Sequence, residues 1–179
     1  GEVIVATEDK EILEDVIKNK GRGILTRSDH KTGTDRIFEA YKKLNIKDVD
    51  YILNLQGDEP NIDKEDIVNL NNLMIDSDSE IGTLGASITD NKMLENKNVV
   101  KVITESKLEK DNFPTALNFS RRNVSKNTKN VYHHIGIYFY KVSILKKFIS
   151  LDQTKNEIEN KLEQLRALDN KLKINVALA

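Results

Sequence analysis

Residues 2–26, EVIVATEDKEILEDVIKNKGRGILT, set the fold class. EVIVAT (2–7) is a short β-branched run without polar alternation, the pattern of a parallel strand covered on both faces. KEILEDVIKNKG then places Ile12, Leu13, Val16 and Ile17 at helical spacing and stops at Gly21, a suitable C-terminal cap. GILT (23–26) reads as a second short strand. The alternation continues downstream. The polar loop RSDHKTGT opens a helix from about Asp35 to Leu44 that buries Ile37, Phe38, Tyr41 and Leu44. YILNL (51–55) is a third strand, and KEDIVNLNNLM a third helix with Ile67, Leu70 and Met74 inward. Alternating β and α units imply a mostly parallel sheet with crossover helices.

Beyond residue 80 the pattern changes. GTLGASI, VVKVIT, ALNFS and YHHIGIYFY are four strands separated by turns, with the short NKMLEN helix between the first two, which predicts mixed or antiparallel sheet. Helices at 143–150 and 156–169 follow, and KINVALA is a closing strand. In EIENKLEQLRAL, Ile158, Leu162, Leu165 and Leu168 form the expected buried stripe, with Glu163 and Arg166 falling away and Gln164 on its flank. No repeat, low-complexity tract or linker stands out, and 179 residues suffice for one substantial core, so a single domain over 1–179 is expected. The chain opens on a core strand without an initiator methionine and stops inside a strand, as expected of a segment of a longer protein.

Composition narrows the function classes. A hydrophobic fraction of 38% beside 32% charged residues describes a globular chain with a heavily solvated surface. No apolar run approaches the ~20 residues that span a bilayer, and the start is neither a signal nor a transit sequence, so no membrane insertion and a cytoplasmic location are expected. The absence of cysteine (Cys 0) excludes disulfides, thiolate metal sites and cysteine nucleophiles. With 28 basic against 29 acidic residues the balance argues against nucleic acid as main partner, and the basic stretch Arg121, Arg122, Lys126, Lys129 lacks interleaved aromatics. His133 and His134 point to opposite faces of a strand and do not easily share a metal ion, with or without His30.

Four segments carry possible chemistry. In QGDEP (56–60), Asp58 stands at the carboxyl end of a strand, where open α/β sheets bind ligands; Gly57 permits close approach of a ligand, and Pro60 stops the strand. A carboxylate facing phosphates there is a standard holder of Mg²⁺, though on spacing alone a solvated turn is the favoured reading. SDHKTGTDR (28–36) reads either as helix capping, with Thr34 as N-cap and Asp35 in the first turn, or as a nucleotide loop. In the second reading it offers amides around Gly33 and Thr34 with charge from Arg27 and Arg36. In HHIGIYFY, Ile135, Ile137 and Phe139 share one face. His134, Gly136, Tyr138 and Tyr140 share the other, which on its own reads first as an exposed face decorated with tyrosines; with His134 and Tyr138 roughly 13 Å apart at ~3.3 Å per residue it could also bracket an extended sugar. The helix around LEQLRAL is, taken alone, a surface helix.

Together VIVATEDKEI, LTRSDHKTGTDRI, ILNLQGDEPNI, NVVKVI, ALNFSR, HHIGIYFY and LEQLRAL resemble, in order and approximate spacing, the 3-deoxy-manno-octulosonate (KDO) cytidylyltransferases, or CMP-KDO synthetases. The resemblance spans nearly the whole chain. It implies an α/β, nucleotide-diphospho-sugar-transferase-like (Rossmann-like) mixed sheet flanked by helices and truncated at both ends. It also implies a nucleotide-binding half (1–80) and a sugar-binding, dimerising half (81–179). The implied reaction is CTP plus KDO giving CMP-KDO and pyrophosphate with Mg²⁺, for lipopolysaccharide assembly, by a homodimer. Carried over residue by residue, Asp58 is the metal ligand and, with Gln56, catalytic. Arg27, Gly33, Thr34, Arg36 and Gln56 line the nucleotide; Arg121, His134, Tyr138, Glu163 and Gln164 hold the sugar.

The chain departs from the family in three places. A basic loop of the form P-A-R-x-x-S-x-R-x-P-x-K should precede residue 1 and a G-V-D-T-P motif should follow Ala179, so this segment alone is expected to be inactive. After ALNFSR, the usual Ala-x-Ile-Pro is replaced by RNVSKN. Alternatives are a related synthetase for another acid sugar, such as a sialic acid, and a non-catalytic sugar- or nucleotide-binding relative.

Overall fold

The computed structural model describes the chain except Asp58, Pro60 and Lys126, and the side chain of Asn91. Two compact units divide it, Gly1–Val49 and Asp50–Ala179. In the first, β1 (Val5–Thr7), α1 (Lys10–Lys18), β2 (Gly23–Leu25) and α2 (Gly33–Leu44) follow one another, and β1 pairs β2 in parallel, as the opening stretch predicts. The end of α1 differs from expectation. Lys20, with φ 62°, takes the left-handed turn in place of Gly21. Gly21 is needed instead for close approach, because a Cβ there would lie 2.9 Å from Cγ1 of Val16.

Helix α2 begins earlier than read. Thr32, not Thr34, is its N-cap: its hydroxyl accepts from the amide of Asp35 while the Asp35 carboxylate accepts from the amide of Thr32. This reciprocal box needs an acidic residue three places after the cap, a spacing that Thr32 has and Thr34 lacks. Ile37, Phe38, Tyr41 and Leu44 are half-buried, and Ala40 is buried.

The second unit holds β3 (Tyr51–Leu55), α3 (Lys64–Asp76), β4 (Ile81–Ser87), α4 (Asn91–Glu95), β5 (Lys101–Thr104), β6 (Ala116–Ser120) and β7 (Val131–Lys141). It ends with α5 (Val142–Ile149), α6 (Lys155–Asn160), α7 (Gln164–Asp169) and β8 (Ile174–Leu178). Its six-stranded sheet runs β6-β5-β7-β4-β8, with β3 also on β7. It is mixed: β4 and β8 are parallel, and β3, β4 and β5 each lie antiparallel to β7. Thus β3, expected in a parallel sheet with the first two strands, finds its hydrogen-bonding neighbour in β7. The eleven-residue length of β7 lets its two halves serve β5 and β3 in turn. Helix α3 covers one face, packing Leu70 and Met74 on Leu84, Ile137, Phe139 and Ala177, with Ile67 at the margin.

The helix expected over 156–169 is broken. Lys161 is left-handed (φ 53°), ending α6 and turning the chain before α7. Ile158 consequently leaves the stripe and is exposed, while Leu162 and Leu165 stay buried. Arg166, expected on the surface, is buried with Glu157: Nη2 donates to Oε1 at 2.6 Å and Nε to Oε2 at 2.8 Å. Its guanidinium lies 4.6 Å from the centre of the Phe148 ring. Glu157 also closes the capping box of α6 with Thr154 and accepts from Gln153. Burial pushes its carboxyl up, but the hydrogen bonds from Arg166 and Gln153 outweigh that and hold it below its ordinary value.

Removing one partner of such a pair leaves the other charge buried and uncompensated. Arg166→Met is therefore expected to destabilise the second unit by about 3–5 kcal/mol, and Glu157→Leu with Arg166→Met by less than the single change. Urea unfolding of the three proteins measures both.

Candidate active site

In the first unit, the loop between β2 and α2 is organised by Glu39. Its carboxylate meets Nε2 of His30, Nζ of Lys43 at 2.6 Å, and the backbone amide of Arg27 at 3.2 Å. The Lys43 hydrogen bond, aided by those from His30 and Arg27 against the opposing effect of burial, draws its pKa down to about 2. Of the residues expected to line a nucleotide, Arg27 is exposed and lies 3.4 Å from both Asp29 and Glu39. Gly33 is exposed at the first turn of α2, and Thr34 is fully buried. Arg36 is engaged with Glu8 and donates to Oγ1 of Thr26 at 2.7 Å. The loop is thus pinned largely by carboxylates outside it, Glu39 of α2 and Glu8, and it exposes two cations, Arg27 and Lys31.

In the second unit the expected sugar residues converge on β7. Strand β7 carries an irregularity against β4: Thr83 faces Tyr138 but Leu84 faces Ile135, so Gly136 and Ile137 intervene. A bulge of this kind shortens the path along the sheet. The rings of His134 and Tyr138 lie 5.5 Å apart, centre to centre, so they do not bracket an extended sugar as the expected ~13 Å span would. The polar face of β7 is also mostly packed over, with Tyr138 and Tyr140 buried and His134 keeping 7% of its surface exposed. Phe119 of β6 meets His134 edge-on at 5.1 Å, and Tyr138, Tyr140 and Phe148 continue the stack at 5.9 and 6.1 Å.

Charge and hydrogen bonding define what this cluster offers. Burial, with the nearby His133 and Arg121, pushes the His134 imidazole down to about 3, so it is neutral near pH 7. Burial, then Tyr140 and the carboxylate of Glu163, raise Tyr138 well above its ordinary value, so it stays a phenol able to donate. Glu163 and the buried Gln164 stand where α7 begins, and α7 packs on β6. Arg121 follows β6, and among the described residues no ion pair engages it. The geometry therefore brings Arg121, His134, Tyr138 and Glu163 into one neighbourhood.

The strand end at β3 is fixed to the same bulge. Glu59 accepts from the amide of Gly136 at 3.3 Å, and a Cβ at Gly136 would come within 2.9 Å of Oε1 of Gln56. Gln56 and Glu59 are thus both at β7, while Asp58 and Pro60 lie outside the described residues. Among the described residues no group of three or more His, Asp or Glu is placed to hold a metal ion.

Three residues of this site escape sequence reasoning. Lys101 of β5 is fully buried, and its Nζ donates to the carbonyls of Asn96 (3.0 Å) and Arg121 (3.1 Å). Burial and the charge of Arg121 lower its pKa. A lysine inside the apolar run VVKVIT is the signal that could have found it. Thr83, fully buried on β4, bonds His134 and β7. Asn54 lies opposite Tyr138 on β3, buried, and its Nδ2 has no hydrogen-bond partner among the described residues.

A mixed sheet flanked by helices is the architecture of nucleotide-sugar transferases. The solved 4-diphosphocytidyl-2C-methyl-D-erythritol synthase of Anaerococcus prevotii shares the fold at a TM-score of 0.60 and 13% identity, over 99% of this chain and 71% of its own. The chain belongs to the cytidylyltransferase family, whose profile matches residues 1–174. It is 43% identical to the 3-deoxy-manno-octulosonate cytidylyltransferase of Thermodesulfovibrio yellowstonii over 99% of this chain and 73% of that protein. It also superposes on a solved CMP:2-keto-3-deoxy-manno-octonic acid synthetase complexed with CTP, with a TM-score of 0.87 and 33% identity, over 100% of this chain and 72% of that one.

Two outcomes check the electrostatics. Because His134 is neutral when folded but titrates near 6.5 when unfolded, the unfolded state binds the extra proton between those values. Stability should fall as pH drops from about 6.5 towards about 3, and His134→Gln should flatten that slope in urea titrations at successive pH values. Glu39→Ala should lower the hydrogen-exchange protection of the Arg27 amide, which it accepts, at neutral pH.

Proposed function

We propose that this protein is a CMP-KDO synthetase, transferring CMP from CTP to the anomeric hydroxyl of KDO with release of pyrophosphate. The observation that carries this reading is the cluster around His134. Arg121 offers a guanidinium to which an acid sugar's carboxylate can pair, a neutral imidazole and a phenol stand 5.5 Å apart for its hydroxyls, and the Glu163 carboxylate lies close to Tyr138. A cationic group beside a set of hydroxyl-reading groups suits a sugar that bears a carboxylate next to its anomeric carbon. In the reaction the anomeric oxygen forms a bond to the α-phosphorus, the bond from that phosphorus to the β-phosphate oxygen breaks, and the hydroxyl proton is released. The protein's part is mainly to position both substrates and neutralise charge.

We assign the cytidine side to the loop carrying Arg27, Gly33, Thr34 and Arg36 in the first unit, and a role in positioning substrate to Gln56 in the second. From its place in QGDEP after β3 and the family resemblance we assign Mg²⁺ to Asp58, because this ion needs only one or two carboxylates beside phosphate oxygens and water, and it would neutralise phosphate charge when bound. We further assign the product to lipopolysaccharide assembly and the enzyme to the cytoplasm. No described helix is long and apolar enough to cross a membrane. Homodimerisation is assigned to the second unit, whose edge strand β6 exposes Leu117.

In the full-length protein, pyrophosphate release is expected only with CTP, KDO and Mg²⁺ together; no release with all three overturns the reading. Asp58→Asn should lower turnover by about a hundredfold or more. Arg121→Met should raise the KM for KDO and leave that for CTP unchanged.

A further inference from the structure

Thr83 sits at the point where β4 meets the bulge of β7, and its single hydroxyl has more partners than protons. Oγ1 lies 2.7 Å from the carbonyl oxygen of Ile137, 3.4 Å from that of Ile135 and 3.0 Å from Nε2 of His134. A carbonyl oxygen only accepts, so the hydroxyl proton goes to Ile137, the nearer of the two carbonyls. What Oγ1 has left for His134 is a lone pair, and Nε2 must supply the proton of that bond. A neutral imidazole carries one proton, which places it on Nε2 and leaves Nδ1 bare. No hydrogen bond from a described residue reaches Nδ1.

We propose that Thr83 is a positioning residue that locks His134 as the Nε2–H tautomer, so that Nδ1 is a fixed acceptor selecting a hydroxyl of the bound sugar and turning away its carboxylate. This rests on the sugar-binding reading given above. The consequence is a division of labour. A carboxylate has no proton to give Nδ1 and is left to the guanidinium of Arg121, whereas a sugar hydroxyl can donate to Nδ1. The alternative tautomer, or an imidazolium, would present a donor on the same side and attract the carboxylate to the wrong end of the site. The bulge is what makes the relay possible, because it brings the Ile137 carbonyl and the His134 ring to the same residue of β4.

The test is ¹⁵N NMR of the full-length protein with labelled histidine, following His134 beside the other two histidines of this sequence, His30 and His133, and then titration with KDO and, separately, CTP. In the wild type, His134 should show the pattern of a neutral Nε2–H ring at pH 7. Thr83→Val, which keeps the shape and removes the acceptor, should abolish that fixed pattern and weaken KDO binding about tenfold, the scale of one lost hydrogen bond, with CTP binding unchanged. Thr83→Ser should restore both. A wild-type His134 that is protonated on Nδ1, or charged, overturns the proposal whatever the variants do. So does a Thr83→Val protein with an unchanged His134 pattern, or one that loses KDO and CTP equally. If the wild type binds no KDO while His134 shows the Nε2–H pattern, the sugar reading fails and the selection step with it, but the lock stands.

Discussion

The second unit depends on how β7 is held against β4 at Thr83. A regular antiparallel pairing would carry His134 and Tyr138 far apart along the strand. The intervening Gly136 and Ile137 instead let two steps of β4, from Gly85 to Thr83, match four steps of β7. Since two inserted residues preserve the alternation of faces, the rings stay on one side of the sheet while drawing together. The turn after β3 is anchored at the same place, because the Gly136 amide within the irregularity donates to Glu59. One departure from ladder geometry thus assembles the aromatic pair and seats Gln56 beside it. A side chain at 136 would meet Gln56 and disturb both.

Two buried cations in this unit are treated in opposite ways. Arg166 is fully compensated by a bidentate carboxylate that is itself held by a helix cap, the arrangement needed for a buried pair to repay its desolvation. Lys101 has only the backbone carbonyls of Asn96 and Arg121, with the guanidinium of Arg121 nearby. Carbonyl dipoles satisfy hydrogen bonds without cancelling a charge, so this corner of the site carries positive potential that an anion would offset. The lysine also ties down the backbone of Arg121, fixing the residue whose side chain is free to meet that anion.

Much of this was legible in the sequence, and what was not has identifiable physics. The β-α order, the position of nearly every strand and the inward face of α3 follow from periodicity, because each is a local pattern with one buried side. The partner of β3 was not legible, since YILNL reads the same beside a parallel or an antiparallel neighbour. Nor was the break at Lys161: a lysine in the left-handed region carries no glycine signal, and the leucines around it continue the helical period across the turn. The sugar-side neighbourhood of Arg121, His134, Tyr138 and Glu163 was named from the resemblance. Its compactness was hidden because the bulge is a property of pairing, not of HHIGIYFY alone. Lys101 and Thr83 were passed over because single polar residues in apolar strands carry no period.

The break at Lys161 also explains why stability and recognition are joined here. A continuous helix would keep Glu163 and Arg166 on one outward side. Ended by the turn, α7 starts afresh with Glu163 near Tyr138 and Arg166 directed onto Phe148. From Arg166 the stack runs through Phe148, Tyr140 and Tyr138 to His134, each ring in contact with the next. Because such a stack is packed at the density of the core, its members cannot shift singly. The imidazole and phenol offered to a ligand are therefore held in place before it arrives, and the ordering that binding would otherwise require is already supplied by folding. The stabilising pair at Glu157 and Arg166 thus contributes to the shape of the site without touching it.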